Sequence, residues 1–105
     1  MSDAETSNGG VAGGFALTPD GSHWTFDGAL TFDNAAASVE ASSNLELPSD
    51  GRVDLSGLQT VDSSALAVVF ALKRRAKAEQ RDLVFVGVPD DLTSLARVYG
   101  VSELL

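Results

Sequence analysis

Val53-Asp54-Leu55-Ser56-Gly57-Leu58-Gln59-Thr60-Val61-Asp62-Ser63-Ser64-Ala65-Leu66 is the stretch whose reading decides the fold of this chain. Arg52 to Leu55 carries the β-branched and apolar residues of a short buried strand, and Ser56-Gly57 supplies turn chemistry after it. Asp62, Ser63 and Ser64 stand where the longest helix, from about Ser63 to Gln80, must begin. Each of the three offers an oxygen to the unpaired N–H groups of a first helical turn. Three such side chains exceed what a cap requires. The residues alone leave two readings open, a cap only or a cap that is also a site.

Upstream, Met1 to Gly14 is rich in Gly, Ser and small polar residues, which predicts a disordered tail over residues 1–13 before one domain over residues 14–105. Phe15 to Thr18 reads as a strand and Pro19-Asp20-Gly21-Ser22 as a turn. In His23 to Asp27 the alternation puts Trp24 and Phe26 on one face, as in the returning strand of a hairpin. Gly28 to Leu30 leads out. Thr31 or Asp33 then caps a helix to about Ser43, with Phe32, Ala36, Val39 and Ser43 near helical spacing. Pro48-Ser49-Asp50-Gly51 is the loop before the deciding stretch.

Downstream, Leu66, Val69, Phe70 and Leu72 give the long helix a broad apolar surface, and Lys73, Arg74, Arg75 and Lys77 crowd its second half. Cations there are favoured by the helix dipole, so the cluster is either a solvated helix end or a contact surface. Leu83 to Val88 is a near-continuous apolar run of strand length, predicted to lie centrally in the sheet, and Pro89 stops it. Asp90 or Asp91 caps a third helix with Leu92, Leu95 and Tyr99 on one stripe, a stripe that reads as core. Gly100 ends it. The elements thus run strand, strand, helix, strand, helix, strand, helix. The fold they predict is α/β (mixed α+β), one four- to five-stranded mixed sheet with helices mainly on one face. Phe70, Phe85 and Leu95 are expected in its core.

Composition narrows the function. One domain is what 105 residues allow, and with no cysteine there is neither a disulfide framework nor a thiolate metal site. The longest apolar run, Ala65 to Leu72, is far shorter than the ~20 residues of a membrane span, and no secretory signal is visible, which predicts a cytoplasmic protein. The net charge is −8: residues 1–50 hold eight acids and no base, and residues 51–105 hold seven of each. Such acidity argues against a nucleic-acid or anionic-membrane ligand, which would require a basic face. Enzyme readings lack an inventory. A catalytic triad would have to bring the single histidine, His23, to Ser63, and no phosphate-binding loop surrounds Lys73 or Lys77. No cofactor is expected.

Asp54-Leu55-Ser56-Gly57 followed by Val61-Asp62-Ser63-Ser64-Ala65-Leu66 resembles the signature of the STAS domain, the family of anti-sigma factor antagonists and sulfate-transporter tails. The similarity runs from about Phe15 to Leu105 and is strongest after Arg52. Leu83 to Pro89, with Leu92, Leu95, Ala96, Tyr99-Gly100-Val101 and Leu104-Leu105, is similar to one branch in particular. That branch comprises the small, MlaB-type STAS subunits of the bacterial phospholipid ABC transporter that maintains outer-membrane lipid asymmetry.

The resemblance implies a non-enzymatic partner protein. The phosphorylatable hydroxyl of the family falls on Ser63 or its neighbour Ser64, beside Asp62. In the transporter branch this surface docks on the ATPase subunit. That places the protein in the cytoplasm, peripheral to the inner membrane through its complex. In the antagonist branch a serine kinase phosphorylates the hydroxyl and switches binding to the anti-sigma factor. The antagonist motif has Gly after the serines where this chain has Ala65, and a Cβ there narrows close approach to the helix start. Ala65, Lys73 and Arg74 are the further residues expected at the interface.

Overall fold

A computed structural model describes residues 13–105. Residues 1–12 of the tail expected to be disordered lie outside the described residues. Gly13, the last residue of that tail, is bound to the sheet, its N–H donating to the Ala29 carbonyl at 2.8 Å.

The strands are β1 (Gly14–Leu17), β2 (His23–Leu30), β3 (Arg52–Val61) and β4 (Val84–Val86). The helices are α1 (Ala35–Ser42), α2 (Ser64–Ala78) and α3 (Asp90–Val98), with a 3₁₀ turn at Ser102–Leu104. They form one mixed four-stranded sheet in the order β1-β2-β3-β4. β1 and β2 make the antiparallel hairpin, with Leu17 opposite Trp24, and β3 runs parallel to both β2 and β4. The β2–α1–β3 and β3–α2–β4 crossovers advance in the same direction across the sheet. With the right-handed connection such crossovers adopt, both helices cover the same face. α1 packs on α2, and α2 on α3.

Alternation on the strands shows which face that is. Trp24, Phe26, Val53, Leu55 and Phe85 are buried under the helices, whereas Asp27, Ser56 and Val84 on the intervening positions are exposed. Trp24 has no free surface, and its indole N–H donates to the Glu46 carbonyl at 2.8 Å, which joins the sheet to the loop after α1. Phe15 adds an edge-on contact to Phe26 at 4.8 Å between ring centroids.

Five expectations are corrected. Ser56-Gly57 does not end the strand, for β3 continues to Val61. Thr25 pairs with Asp54 and Asp27 with Gly57, so β3 carries one extra residue there, and a second lies between Leu58 and Val61. The Ser56 N–H bonds back to Asp54 Oδ1 at 2.8 Å, which is turn chemistry used to make a bulge. The bulge turns both Leu55 and Leu58 into the core, and at Gly57 a Cβ would lie 2.8 Å from the Phe26 carbonyl oxygen. β2 likewise runs on through Gly28 to Leu30 instead of leading out.

β4 is an edge strand, not a central one, because no later segment of the described chain returns to pair with it. Neither Thr31 nor Asp33 takes the N-cap position of α1; Asn34 does, with its side chain bonded back to Thr31 and Ala29 instead of to the first turn, and α1 buries Ser38 and Ser42, so the Phe32 and Ala36 stripe faces outward. Phe70 and Tyr99, read as core, are 50% and 59% exposed, and Leu95 is only partly buried.

Candidate functional site

Asp62 and Ser63 link the end of β3 to the start of α2. The Asp62 carboxylate accepts the Ser64 N–H on Oδ1 at 2.8 Å and the Phe32 N–H on Oδ2 at 3.0 Å. One side chain therefore caps α2 and ties the loop before α1 to the same point. These bonds, that from Phe32 foremost, stabilise the ionised form and hold the carboxyl below its ordinary range. Backbone bonds from Ala65 to the Asp62 carbonyl and from Leu66 to the Ser63 carbonyl complete the first turn.

The three predicted residues thus divide. Asp62 is the cap. Ser63 occupies the N-cap position with helical backbone angles, is exposed, and makes no capping bond with its hydroxyl. Ser64 is half-buried, and Ala65 is fully buried, so it offers a partner no surface. Helix geometry accounts for Ala65: it belongs with Val68, Val69, Leu72 and Ala76 to the stripe facing the sheet.

The basic cluster does not form one patch. The Lys73 ammonium sits 5.7 Å from the centre of the Phe85 ring, towards the sheet edge. Arg75 points the other way. Its guanidinium donates to the Ser42 and Leu45 carbonyls at 2.8 and 2.7 Å, closing the end of α1, and pairs with Glu79 at 3.0 Å. Arg74 remains exposed.

Beside Ser63 lies an open groove of about 290 Å³, which it lines together with Leu66, Ala67, Phe70, Tyr99, Val101 and Leu104. Phe70 and Tyr99 were missed as surface residues. For Phe70 the signal was there: it follows Val69 by 100° and so falls off the stripe defined by Ala65, Val69, Leu72 and Ala76. Tyr99 lies one residue past the end of α3, where the helical stripe no longer governs direction.

The structure does not bring the single histidine to Ser63. His23 pairs with Arg52 at the beginning of β3, roughly 30 Å of strand away from Ser63 at its far end. Among the described residues, no group of three or more His, Cys, Asp or Glu is placed to hold a metal ion. No helix among them is long and apolar enough to cross a membrane.

A mixed sheet of this order with its helices on one face, and a serine pair opening the central helix, define a small domain of the STAS class. The sequence model of the family described as the MlaB STAS domain matches residues 14–105, and the chain belongs to that family. Its members are generally non-catalytic. No curated protein matches the chain.

Proposed function

We propose that this chain is a non-catalytic subunit that binds and stabilises the ATPase of a phospholipid-transporting ABC complex, with the start of α2 as the docking surface. The observation that carries the reading is the exposed Ser63, its hydroxyl left out of the cap, beside an apolar groove with Phe70 and Tyr99 half-open to solvent. A small hydroxyl next to exposed aromatic area is a surface that a protein partner fills, burying apolar surface and satisfying one polar group. The family match supports the lipid-transport setting. In that setting the protein works on the cytoplasmic side, held to the inner membrane through its complex, and any ATP is hydrolysed by the partner.

The test is to purify the ATPase subunit of a phospholipid transporter from the same genome with and without this chain. Co-purification, with the ATPase losing solubility or activity in its absence, is the expected result. An ATPase equally soluble and active alone contradicts the reading.

A second reading, an anti-sigma factor antagonist switched by serine phosphorylation, draws on the same free Ser63 hydroxyl. It requires a kinase to reach that oxygen and a phosphoserine to appear in cells. Recovery of a kinase and an anti-sigma factor in a pull-down, with no transporter ATPase, would decide in its favour.

A further inference from the structure

Phe32 is 80% exposed, the largest exposure among the large apolar side chains of the described residues. It does not sit on a loose segment. The Thr31 N–H donates to Asn34 Oδ1 at 2.9 Å, the Asn34 N–H to the Thr31 carbonyl at 3.1 Å, and Asn34 Nδ2 to the Ala29 carbonyl at 2.8 Å. The Phe32 N–H is held by Asp62, the carboxylate that also caps α2. An aromatic side chain is thus presented to solvent on a hydrogen-bonded backbone, tied to the residue that precedes Ser63. A single exposed apolar residue is ordinary. One fixed by the helix-capping carboxylate of the candidate site is part of that site.

The surroundings are acidic. Asp33 follows Phe32, Asp62 lies beneath it, and Asp91 lines an open groove with Val61, Leu95 and Val98 just beyond the end of β3. α1 carries no base. The first base on α2 is Lys73, nine residues after Ser64 and roughly 14 Å along the axis, and Arg97 on α3 is roughly 9 Å along from Asp91.

From this we infer that Phe32 is a second anchor of the partner surface, and that it inserts into an apolar pocket rimmed by Lys or Arg side chains on the ATPase. The inference rests on the proposed function. Charge complementarity selects this occupant. A second copy of the chain meeting itself across a two-fold axis would set Asp33 and Asp62 against like charges.

The experiment measures ATPase binding to wild type, Phe32→Ala, Phe32→Leu, Asp33→Lys and Ser63→Glu at low and high salt, with each melting temperature recorded. Sedimentation velocity of the chain alone follows its self-association. Phe32→Ala is expected to weaken binding by about tenfold or more, and Phe32→Leu by less. Asp33→Lys should weaken binding and flatten its salt dependence, and the melting temperatures should stay unchanged. Binding of Phe32→Ala at wild-type strength, while Ser63→Glu binds weakly, overturns the inference and leaves the proposed function standing. Failure of wild type to bind the ATPase overturns both. A concentration-dependent dimer of the chain alone that Phe32→Ala abolishes also overturns it, in favour of a second copy.

Discussion

At the scale of the residue, Asp62 does two jobs with one carboxylate, and Ser63 is free because of it. Side-chain oxygens compete for the N–H groups of a first turn. Asp62 takes the Ser64 N–H and leaves the serine hydroxyls unneeded. Replacing Asp62 by Asn keeps an acceptor but loses the charge, and should lower stability at neutral pH by about 0.3–1 kcal/mol, the size of a charge–dipole term at a helix N-terminus. The pH dependence follows from the sign of the shifts. Asp62 and Asp54 are lowered, chiefly by the backbone N–H groups of Phe32 and Ser56, and Asp20 is lowered from 3.8 to about 2 by its bonds to Ser22 and Thr18. Depressed carboxyls bind protons less tightly in the folded state. Their contribution is present above the unfolded value near 3.8 and is lost as pH falls through the folded value. Denaturant titrations from pH 7 down to about 2 should therefore show stability falling below about pH 4. The gap between wild type and Asp62→Asn should narrow over the same range. A gap independent of pH would mean that the charge of Asp62 is irrelevant to the cap.

At the scale of the element, what the sequence made legible was whatever depended on local pattern. The alternation of Trp24 and Phe26, the helix start at Asp62-Ser63-Ser64 and the stop at Gly100 are local, and each stands where pattern placed it. The extent of β3 was not legible, because Ser56-Gly57 has the same chemistry in a bulge as in a turn. Only the partner strand, with Phe26 and Asp27 close against Gly57, distinguishes them. Arg75 is a similar case. Its place near the end of α2 reads as a dipole effect, yet its partners are the Ser42 and Leu45 carbonyls, 33 and 30 residues away in sequence. Arg75→Ala should cost about 1.5–3 kcal/mol by leaving those carbonyls without a charged donor, whereas Arg74→Ala, on the exposed side, should be near neutral. Equal melting temperatures for the two variants would refute the assignment.

At the scale of the whole molecule, the class of fold was legible and the position of its last strand was not. A near-continuous apolar run implies a strand covered on both sides, but β4 reaches that composition differently. Leu83 and Phe85 face the core, while Val84 is 58% exposed on the open face. Phe85 is only 6% exposed even at the sheet edge, and Phe85→Ala should cost roughly 3–5 kcal/mol. A loss below about 1 kcal/mol in chemical denaturation would mean that the edge strand contributes little to the core.

The candidate site was legible as far as Asp62 and Ser63. Of the surface around it, Phe70 was legible from its place off the buried stripe of α2, whereas Phe32 and Tyr99 are apolar residues whose exposure depends on how whole elements dock. The central claim is that Ser63 lies in a partner interface and is not needed by the fold. The most direct test is the affinity of the transporter ATPase for wild type, Ser63→Glu and Ser64→Glu, with melting temperatures recorded for all three. Ser63→Glu should weaken binding by at least about tenfold, by setting bulk and charge against a partner fitted to a hydroxyl, while its melting temperature moves by no more than about 3 °C. Binding of Ser63→Glu as tight as that of wild type would contradict the account.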